Sequence, residues 1–215
     1  MKIVLFGATG HVGQRITAEA LRRGHQAVGV ARDPSRAQSV DPRVTLVHGD
    51  ATDPASVASI VRGADAVVTS VSPRPGSTGS APRLVDVARA VIAGAREAGV
   101  RRLIAVGGAA SLEVAPGVAL LDTPDFPELY RDEATQGRDS LKVYREEADG
   151  LDWTFISPAI VIQPGERTGR YRTTDDTILF DENGQSVISY EDYAVALLDE
   201  LENPRHVGRR FGVAY

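Results

Sequence analysis

The sequence contains no cysteine among its 215 residues, which excludes disulfides, thiolate nucleophiles and cysteine-ligated metals. The histidines are few and scattered, at His11, His25, His48 and His206, without the spacing of metal ligands, so no metal site is predicted. No apolar run approaches the roughly 20 residues that cross a bilayer. These absences predict a protein that is neither secreted nor bound to a membrane, in a reducing, cytoplasmic compartment.

Basic residues are also fewer than acidic residues. The chain has 24 Lys and Arg against 29 Asp and Glu, a formal net charge of −5. Nucleic-acid binding requires clustered positive charge, so nucleic acid is not expected as a partner and any anionic ligand must be small. The apolar fraction of 42% is average for a folded protein. We expect residues 1–215 to form one domain around one core.

Short apolar runs alternate with segments of helical periodicity. The runs are rich in Val, Ile and Leu, as in strands buried on both faces of a sheet. They predict strands at Lys2–Phe6, Ala27–Ala31, Val44–Val47, Ala66–Val71 and Leu103–Val106. The segments between them predict helices at His11–Arg23, Pro54–Val61 and Leu84–Ala98, with Asp53 as the N-cap of the second.

This alternation predicts an α/β protein with a doubly wound, mostly parallel sheet, the Rossmann fold. A helical segment from about Pro127 to Gly150 leads to a sixth strand at Trp153–Ser157. The C-terminal part is predicted to be small and irregular. It contains short strands or turns at Arg170–Thr174, Thr177–Phe180 and Ser186–Ser189, a helix at Glu191–Leu201 and a final strand at Arg210–Val213.

A glycine-rich turn follows the first predicted strand and begins the first predicted helix. Residues 7–13 read GATGHVG, with glycines at 7, 10 and 13. A dinucleotide pyrophosphate requires a tight turn, free N–H groups at a helix N-terminus and no Cβ where the backbone approaches the phosphates. The motif therefore predicts a dinucleotide site made by Gly7, Thr9, Gly10, His11, Val12 and Gly13. The alternative is a glycine-rich turn that binds nothing.

The end of the second strand decides between NADP and NAD. An acidic residue there favours NAD, whereas an arginine can pair with the 2′-phosphate of NADP. Arg32 follows the strand directly, and Arg36 reaches the same region if a short helix begins near Ser35. The cofactor is therefore predicted to be NADP. NAD remains possible, with Asp33 as the ribose acid and both arginines solvated.

Further candidates follow the third, fourth and fifth strands. Asp50, with Ala51 beside it, is placed to accept from the adenine amine, or alternatively to turn the chain. Ser70 and Val71 come next along the cofactor, in front of the stretch Ser72–Pro82, which is rich in Pro, Gly and Ser. Gly107 and Gly108 begin a run of small residues that would let a nicotinamide approach the sheet closely.

These motifs resemble the atypical branch of the short-chain dehydrogenase/reductase superfamily. The stretches GATGHVG (7–13), GDATD (49–53) and SPA (157–159) look like the NAD(P)H-binding family that includes biliverdin-IXβ and flavin reductases and NmrA-like proteins. A bacterial subgroup described as NADH-flavin reductases or epimerase-like proteins is closer still, through residues 106–117, 122–127, 152–159 and 164–169. The resemblance covers essentially the whole chain. It implies that Pro158 and Ala159 contact the cofactor and that Ser111 lies near the substrate.

One departure from the superfamily affects the expected chemistry. Its usual dehydrogenases carry a Tyr-x-x-x-Lys pair as proton donor. Here Tyr130 is followed four residues later by alanine, and so is Tyr144, while Lys142 lies on another helix face. Hydride transfer to a conjugated acceptor needs little from the protein beyond placement of the cofactor. The sequence therefore predicts a reductase of a flavin, quinone or similar acceptor, with Ser111 orienting it or capping the following segment.

Two other functions remain open from the sequence. A redox sensor that holds NADP(H) without catalysis is compatible with the missing tyrosine and lysine pair. An epimerase or dehydratase is disfavoured by the same absence and by the short C-terminal part. The predicted partners are a small-molecule acceptor and no nucleic acid or membrane, and a homodimer is possible.

Overall fold

A computed structural model describes residues 1–36, 41–73 and 82–215. In this part of the chain the strands are β1 Lys2–Phe6, β2 Gln26–Ala31, β3 Thr45–His48, β4 Ala66–Thr69, β5 Arg102–Val106, β6 Glu113–Ala115, β7 Val118–Ala119, β8 Asp152–Ser157, β9 Val161–Gln163, β10 Arg172–Thr174, β11 Val187–Ser189 and β12 Arg209–Ala214. The α-helices are α1 His11–Arg22, α2 Pro54–Val61, α3 Leu84–Ala98, α4 Arg131–Glu147 and α5 Tyr190–Glu202. Short 3-10 turns include Pro34–Arg36 and Ala109–Ser111.

Eight strands form the central sheet in the order β10-β12-β8-β5-β4-β1-β2-β3. Every neighbouring pair is parallel except β10 and β12, which are antiparallel. The chain moves outward from β1 in one direction through β2 and β3, and then in the other from β4 onward. This reversal between β1 and β4 is the switch point at which doubly wound sheets bind ligands. The predicted Rossmann fold is confirmed.

Helices cover both faces of the sheet. On one face, α2, α3 and α4 pack on alternate strand residues such as Val4, Val67 and Leu103. On the other face, α1 and α5 pack on the intervening residues, among them Leu5 and Ile104. Because both faces are covered, the central strands are apolar along their whole length, as the sequence pattern predicted.

Local capping explains where several helices begin and end. The Asp53 side chain accepts a hydrogen bond from the Ala55 N–H at 3.0 Å, so the predicted N-cap of α2 is confirmed. Helix α3 ends at Gly99, which has a φ of 73° in the left-handed region that favours glycine. The bounds of α2 and α3 are those predicted from the sequence.

The structure also shows features that the sequence pattern did not specify. Residues 177–180 form no strand and make one parallel bridge, between Thr177 and Glu113. The β6–β7 hairpin and the pairing of β9 with β11 were not predicted. Phe126 is only partly buried, whereas Trp153 and Phe155 lie in the core.

Within the ranges that the structure describes, no helix combines the length and the apolar character needed to span a membrane.

Candidate cofactor site

The candidate site lies at the carboxyl edge of the sheet. The loops that follow β3, β2, β1, β4, β5 and β8 leave this edge side by side, because those strands are parallel neighbours in that order. All the predicted cofactor residues lie in these loops or at the start of the helix that follows. The fold therefore collects along one edge residues that are up to 152 positions apart, from Gly7 to Ala159.

The glycine loop after β1 is a tight turn. Gly7 has a φ of 87°, and a Cβ on it would lie 2.5 Å from the carbonyl oxygen of Ser70 in the loop after β4. The N–H of Gly10 donates to the carbonyl of Gly7 at 3.1 Å and closes the turn. Gly7 is therefore required both by its backbone conformation and by the close approach of the two loops at the switch point.

The other two glycines have different surroundings. A Cβ on Gly13, in the first turn of α1, would overlap the carbonyl oxygen of Gly7, so Gly13 lets the helix pack on the loop. A Cβ on Gly10 would meet only that same oxygen, at 3.4 Å, and Gly10 has an ordinary extended conformation with φ −76° and ψ 166°. The described part of the protein therefore leaves room for a side chain at Gly10, on the side where a bound pyrophosphate is expected.

The N-terminus of α1 is open. Gly10 is its N-cap, and no side chain of the described residues caps it. The first N–H groups of an uncapped helix, together with the helix dipole, favour an anion at this position. The His11 ring stacks on Tyr190 of α5, with ring centres 6.1 Å apart. Thr9, just before this helix end, is exposed, and Val12 is half-buried.

The loop after β2 carries the residues that were predicted to select the cofactor. Arg32 is exposed at the end of this strand. Asp33 is engaged locally, because its Oδ1 accepts hydrogen bonds from the Ser35 N–H at 3.1 Å and the Ser35 hydroxyl at 2.5 Å. Arg36 ends the predicted short helix, which the structure shows as the 3-10 turn Pro34–Arg36, and its side chain lies outside the described part.

Asp50 turns the chain after β3. Its Oδ1 accepts from the N–H of Thr52 at 2.9 Å and from the hydroxyl of Thr52 at 2.8 Å. These bonds, with a contribution from the charge of Arg32, lower the pKa of Asp50 below its ordinary value. The turn is thus present as one of the two alternatives predicted, and it keeps an ionised carboxylate beside Ala51. The contact with adenine stays a prediction.

The loops after β4, β5 and β8 complete the edge. Ser70 donates its N–H to the Phe6 carbonyl at 2.8 Å and is half-buried, as is Val71. Pro158 and Ala159 are buried directly after β8. The contacts of these residues with a cofactor remain predictions.

The two glycines after β5, Gly107 and Gly108, have different surroundings. A Cβ on Gly107 would overlap the ring of Phe155 on β8, so packing inside the protein already requires glycine there. A Cβ on Gly108 would meet nothing within 4 Å. Packing against Phe155 therefore accounts for glycine at position 107, whereas the described residues give no packing reason for it at position 108. The approach of a nicotinamide to both glycines stays a prediction.

Ser111 ends the 3-10 turn that follows these glycines. Its hydroxyl oxygen accepts a hydrogen bond from the guanidinium of Arg210 at 3.2 Å, and its carbonyl accepts another at 2.9 Å. The segment after the turn is not capped by Ser111, because the turn ends at Leu112 with a backbone bond to Ala109. Arg210 was missed by the sequence analysis, since it is 99 residues away and appears there only as the start of a strand.

The tyrosines near the site are not arranged as proton donors. Tyr144 on α4 is almost completely buried, and burial raises its pKa to about 12 despite a hydrogen bond with Thr69. Tyr130 is exposed. Lys142 is exposed on α4, and its ammonium lies 3.8 Å from the carboxylate of Glu146. Neither Tyr130 nor Tyr144 is followed by the lysine of the Tyr-x-x-x-Lys pair.

No group of three or more His, Asp or Glu side chains that could hold a metal ion occurs in residues 1–36, 41–73 and 82–215. The site is instead composed of backbone N–H groups, small residues and one exposed arginine. These groups suit an organic dinucleotide with phosphates.

The model of a family described as NAD(P)H-binding matches residues 7–204, almost the whole chain. The chain belongs to this NAD(P)H-binding family. Binding of the nucleotide at the carboxyl edge described above stays a prediction. The predicted family membership is thus confirmed.

Solved structures of three bacterial proteins are similar over the full length of the chain. A Burkholderia pseudomallei protein described as exported is 46% identical, with a TM-score of 0.89 and complete coverage of both chains. A Bacteroides thetaiotaomicron protein with a suggested epimerase activity is 37% identical, with a TM-score of 0.88, over 100% of this chain and 96% of the other. A Streptococcus pneumoniae protein with a suggested NADH-flavin reductase activity is 31% identical, with a TM-score of 0.84, over 100% and 99%.

These relatives share the fold, and the activities suggested for two of them, an epimerase and an NADH-flavin reductase, differ. Because one of them is described as an exported protein, the cytoplasmic location stays a prediction.

Proposed function

We propose that this protein is an NADPH-dependent oxidoreductase that transfers hydride to a flavin, a quinone or a similar conjugated acceptor. The observation that carries the proposal is the pair of features at the start of α1. The helix end is uncapped, and Gly10 is a glycine for which contacts within the described protein give no reason. Both features are expected where a pyrophosphate approaches the backbone.

The residues along the edge would hold the cofactor from one end to the other. The loop 7–13 would bind the pyrophosphate, Arg32 and Arg36 the 2′-phosphate, and Asp50 the adenine. The small residues around Gly108 would lie beside the nicotinamide. The exposed Arg32 at the end of β2 supports NADPH over NADH, because a guanidinium can pair with a 2′-phosphate that NADH lacks.

The proposed reaction needs no protein acid. A bound reduced nicotinamide supplies a hydride, which carries two electrons and one proton, and the acceptor takes its second proton from water. The buried Tyr144, with its raised pKa, and the exposed Lys142 fit this chemistry better than proton transfer to an alcohol or carbonyl. The same observation disfavours an epimerase reaction here, although one relative carries that suggestion.

Binding of the two cofactors to an Arg32→Ala variant tests the cofactor assignment. A charge-assisted hydrogen bond contributes about 1.5–3 kcal/mol, so the variant should bind NADPH roughly ten- to a hundredfold more weakly. Its affinity for NADH should stay within about twofold, since NADH has no 2′-phosphate to lose. Calorimetric titration measures both constants, and Arg62→Ala, an exposed arginine after α2, is the control. Equal losses for both cofactors would contradict the assignment.

Consumption of NADPH with a panel of flavins and quinones tests the reaction. We expect turnover with at least one conjugated acceptor, followed by the absorbance of the reduced nicotinamide. Tyr144→Phe and Tyr130→Phe should each keep activity within about tenfold, against the 10²- to 10⁴-fold effect that is usual for a general acid. Binding of NADPH without turnover of any acceptor would favour the redox sensor instead. A thousandfold loss in either tyrosine variant would indicate a protein acid.

A further inference from the structure

Arg210 is a buried arginine whose guanidinium faces the turn after β5. It is the second residue of β12 and only 5% exposed. Its N–H groups donate to the carbonyl oxygen of Ser111 at 2.9 Å and to the hydroxyl oxygen of Ser111 at 3.2 Å. A buried guanidinium that contacts both the backbone and the side chain of one residue fixes the position of that residue more firmly than a single bond does.

The other edge of the guanidinium is held by Asp176. The Nε of Arg210 donates to this carboxylate at 2.8 Å, and a second guanidinium nitrogen contacts the same oxygen. The segment around Asp176 is itself joined to the chain just after Ser111, because the Glu113 N–H donates to the Asp176 carbonyl at 2.8 Å. Arg210 therefore links three segments that meet beside Ser111, and the carboxylate compensates its buried charge.

The hydrogen-bonding capacity of the two groups determines what the serine can do. A serine hydroxyl has one proton and two lone pairs, whereas a guanidinium has only protons to donate. The contact with Arg210 therefore occupies a lone pair of Ser111 and leaves its proton unused. Among the described residues, no hydrogen bond donated by the Ser111 hydroxyl is present. The nearby cation also disfavours a role for this oxygen as a base.

We propose that Arg210 is a positioning residue that commits Ser111 to donating a hydrogen bond to the electron acceptor. This inference rests on the proposed function. A quinone oxygen or a flavin ring atom gains negative charge as it receives hydride, and a donor that is already oriented stabilises that charge. The acceptor is therefore expected to present an oxygen or nitrogen lone pair to Ser111, and not a proton.

A double-mutant cycle on Ser111 and Arg210 tests the proposal. Arg210→Lys keeps the charge opposite Asp176 but cannot contact both oxygens of Ser111. We expect it to lower kcat/KM for the acceptor about tenfold, with the NADPH dissociation constant within about twofold of wild type. In the Ser111→Ala background the same change should alter kcat/KM by less than about twofold, because the interaction is already lost. Arg145→Gln is the matched control, since Arg145 pairs with Asp176 at 3.4 Å without contacting Ser111.

Independent losses that multiply in the double variant would overturn the proposal, and so would a wild-type kcat/KM for Arg210→Lys. Hydrogen exchange keeps this test separate from that of the proposed function. The Leu112 N–H donates to the Ala109 carbonyl at 2.8 Å in the turn that Arg210 holds. Its exchange should be faster in Arg210→Lys than in Arg145→Gln. If the wild-type protein consumes no acceptor, the proposed function fails. If the exchange rate of the Leu112 N–H is the same in Arg210→Lys as in Arg145→Gln, Arg210 does not hold the turn, whatever the outcome for the proposed function.

Discussion

The N-termini of α1 and α5 lie side by side, but of the two only the N-terminus of α5 is capped by a described side chain. At α5, the Ser189 hydroxyl accepts from the Asp192 N–H at 2.9 Å and caps the helix. At α1, the N-cap is Gly10 and no described side chain caps the helix. The protein therefore satisfies N–H groups at the N-terminus of α5 with its own side chain, while those at the N-terminus of α1 stay available to an anion.

Contacts between the two helices show how close these ends are. The rings of His11 and Tyr190, the first residues of α1 and α5, stack with an angle of 7° between their planes. One turn further along, Arg15 and Glu191 form an ion pair at 3.0 Å. These contacts place the capped end of α5 directly beside the uncapped end of α1.

The closed end at α5 is a network around Asp192. This carboxylate accepts from the Thr168 hydroxyl at 2.6 Å, the Gly169 N–H at 2.7 Å and the Tyr215 hydroxyl at 2.8 Å. Burial opposes ionisation of Asp192, but these hydrogen bonds outweigh it and lower its pKa. The network thus fastens the loop 168–169 and the C-terminal residue onto α5.

The largest effect is expected for Gly13→Val at the open end. The side chain would overlap the Gly7 carbonyl, so the loop and α1 would have to separate. We expect the free energy of unfolding to fall by about 3 kcal/mol and Tm by roughly 6–12 °C. Thermal unfolding measures this, with Gly137→Val in α4 as the control, because a Cβ there meets nothing within 4 Å. A Gly13→Val variant as stable as the control would contradict the packing role of Gly13.

A smaller effect is expected for Asp192→Asn at the closed end. We expect a loss of about 2–3 kcal/mol at neutral pH, because hydrogen bonds to a carboxylate are replaced by bonds to a neutral amide. A lowered native pKa means that Asp192 stabilises the fold above its unfolded value of about 3.8, and that this contribution is lost as the pH falls through the native pKa. Chemical unfolding between pH 7 and pH 2 should therefore show the two proteins converging at the acidic end. NADPH affinity should not change, and a loss of binding would contradict the separation of the two helix ends.

Much of the fold could be predicted because its elements depend on local patterns. Strand β1 and helices α2 and α3 have continuous or periodic apolar residues and recognisable ends, such as Asp53 and Gly99. Strand β9 escaped prediction because its three residues pair with β11, 26 positions away, and two of them are exposed. Such a short strand has no periodicity of its own, and only its distant partner defines it.

The candidate site was predictable where it depends on local sequence patterns, but not where it depends on contacts between distant segments. The glycines of the loop 7–13 are visible in the sequence, whereas their separate roles depend on distances across the fold. Gly107 was predicted to lie beside a nicotinamide, and the structure adds a second requirement for glycine there, the ring of Phe155 on another strand. Ser111 was predicted near the substrate, while its partner Arg210 could be found only in three dimensions.

The measurement that tests this account most directly is the binding of NADPH to Gly10→Val. Unlike Gly13, Gly10 has room for a side chain within the described protein. The Tm of Gly10→Val should therefore stay within about 3 °C of the wild-type value. The added methyl groups would occupy the space assigned to the pyrophosphate, and affinity should fall at least about a hundredfold, or roughly 3 kcal/mol. The NADPH affinity of Gly10→Ala should lie between those of wild type and Gly10→Val. Wild-type affinity in a folded Gly10→Val variant would contradict the claim that the open end of α1 binds the dinucleotide.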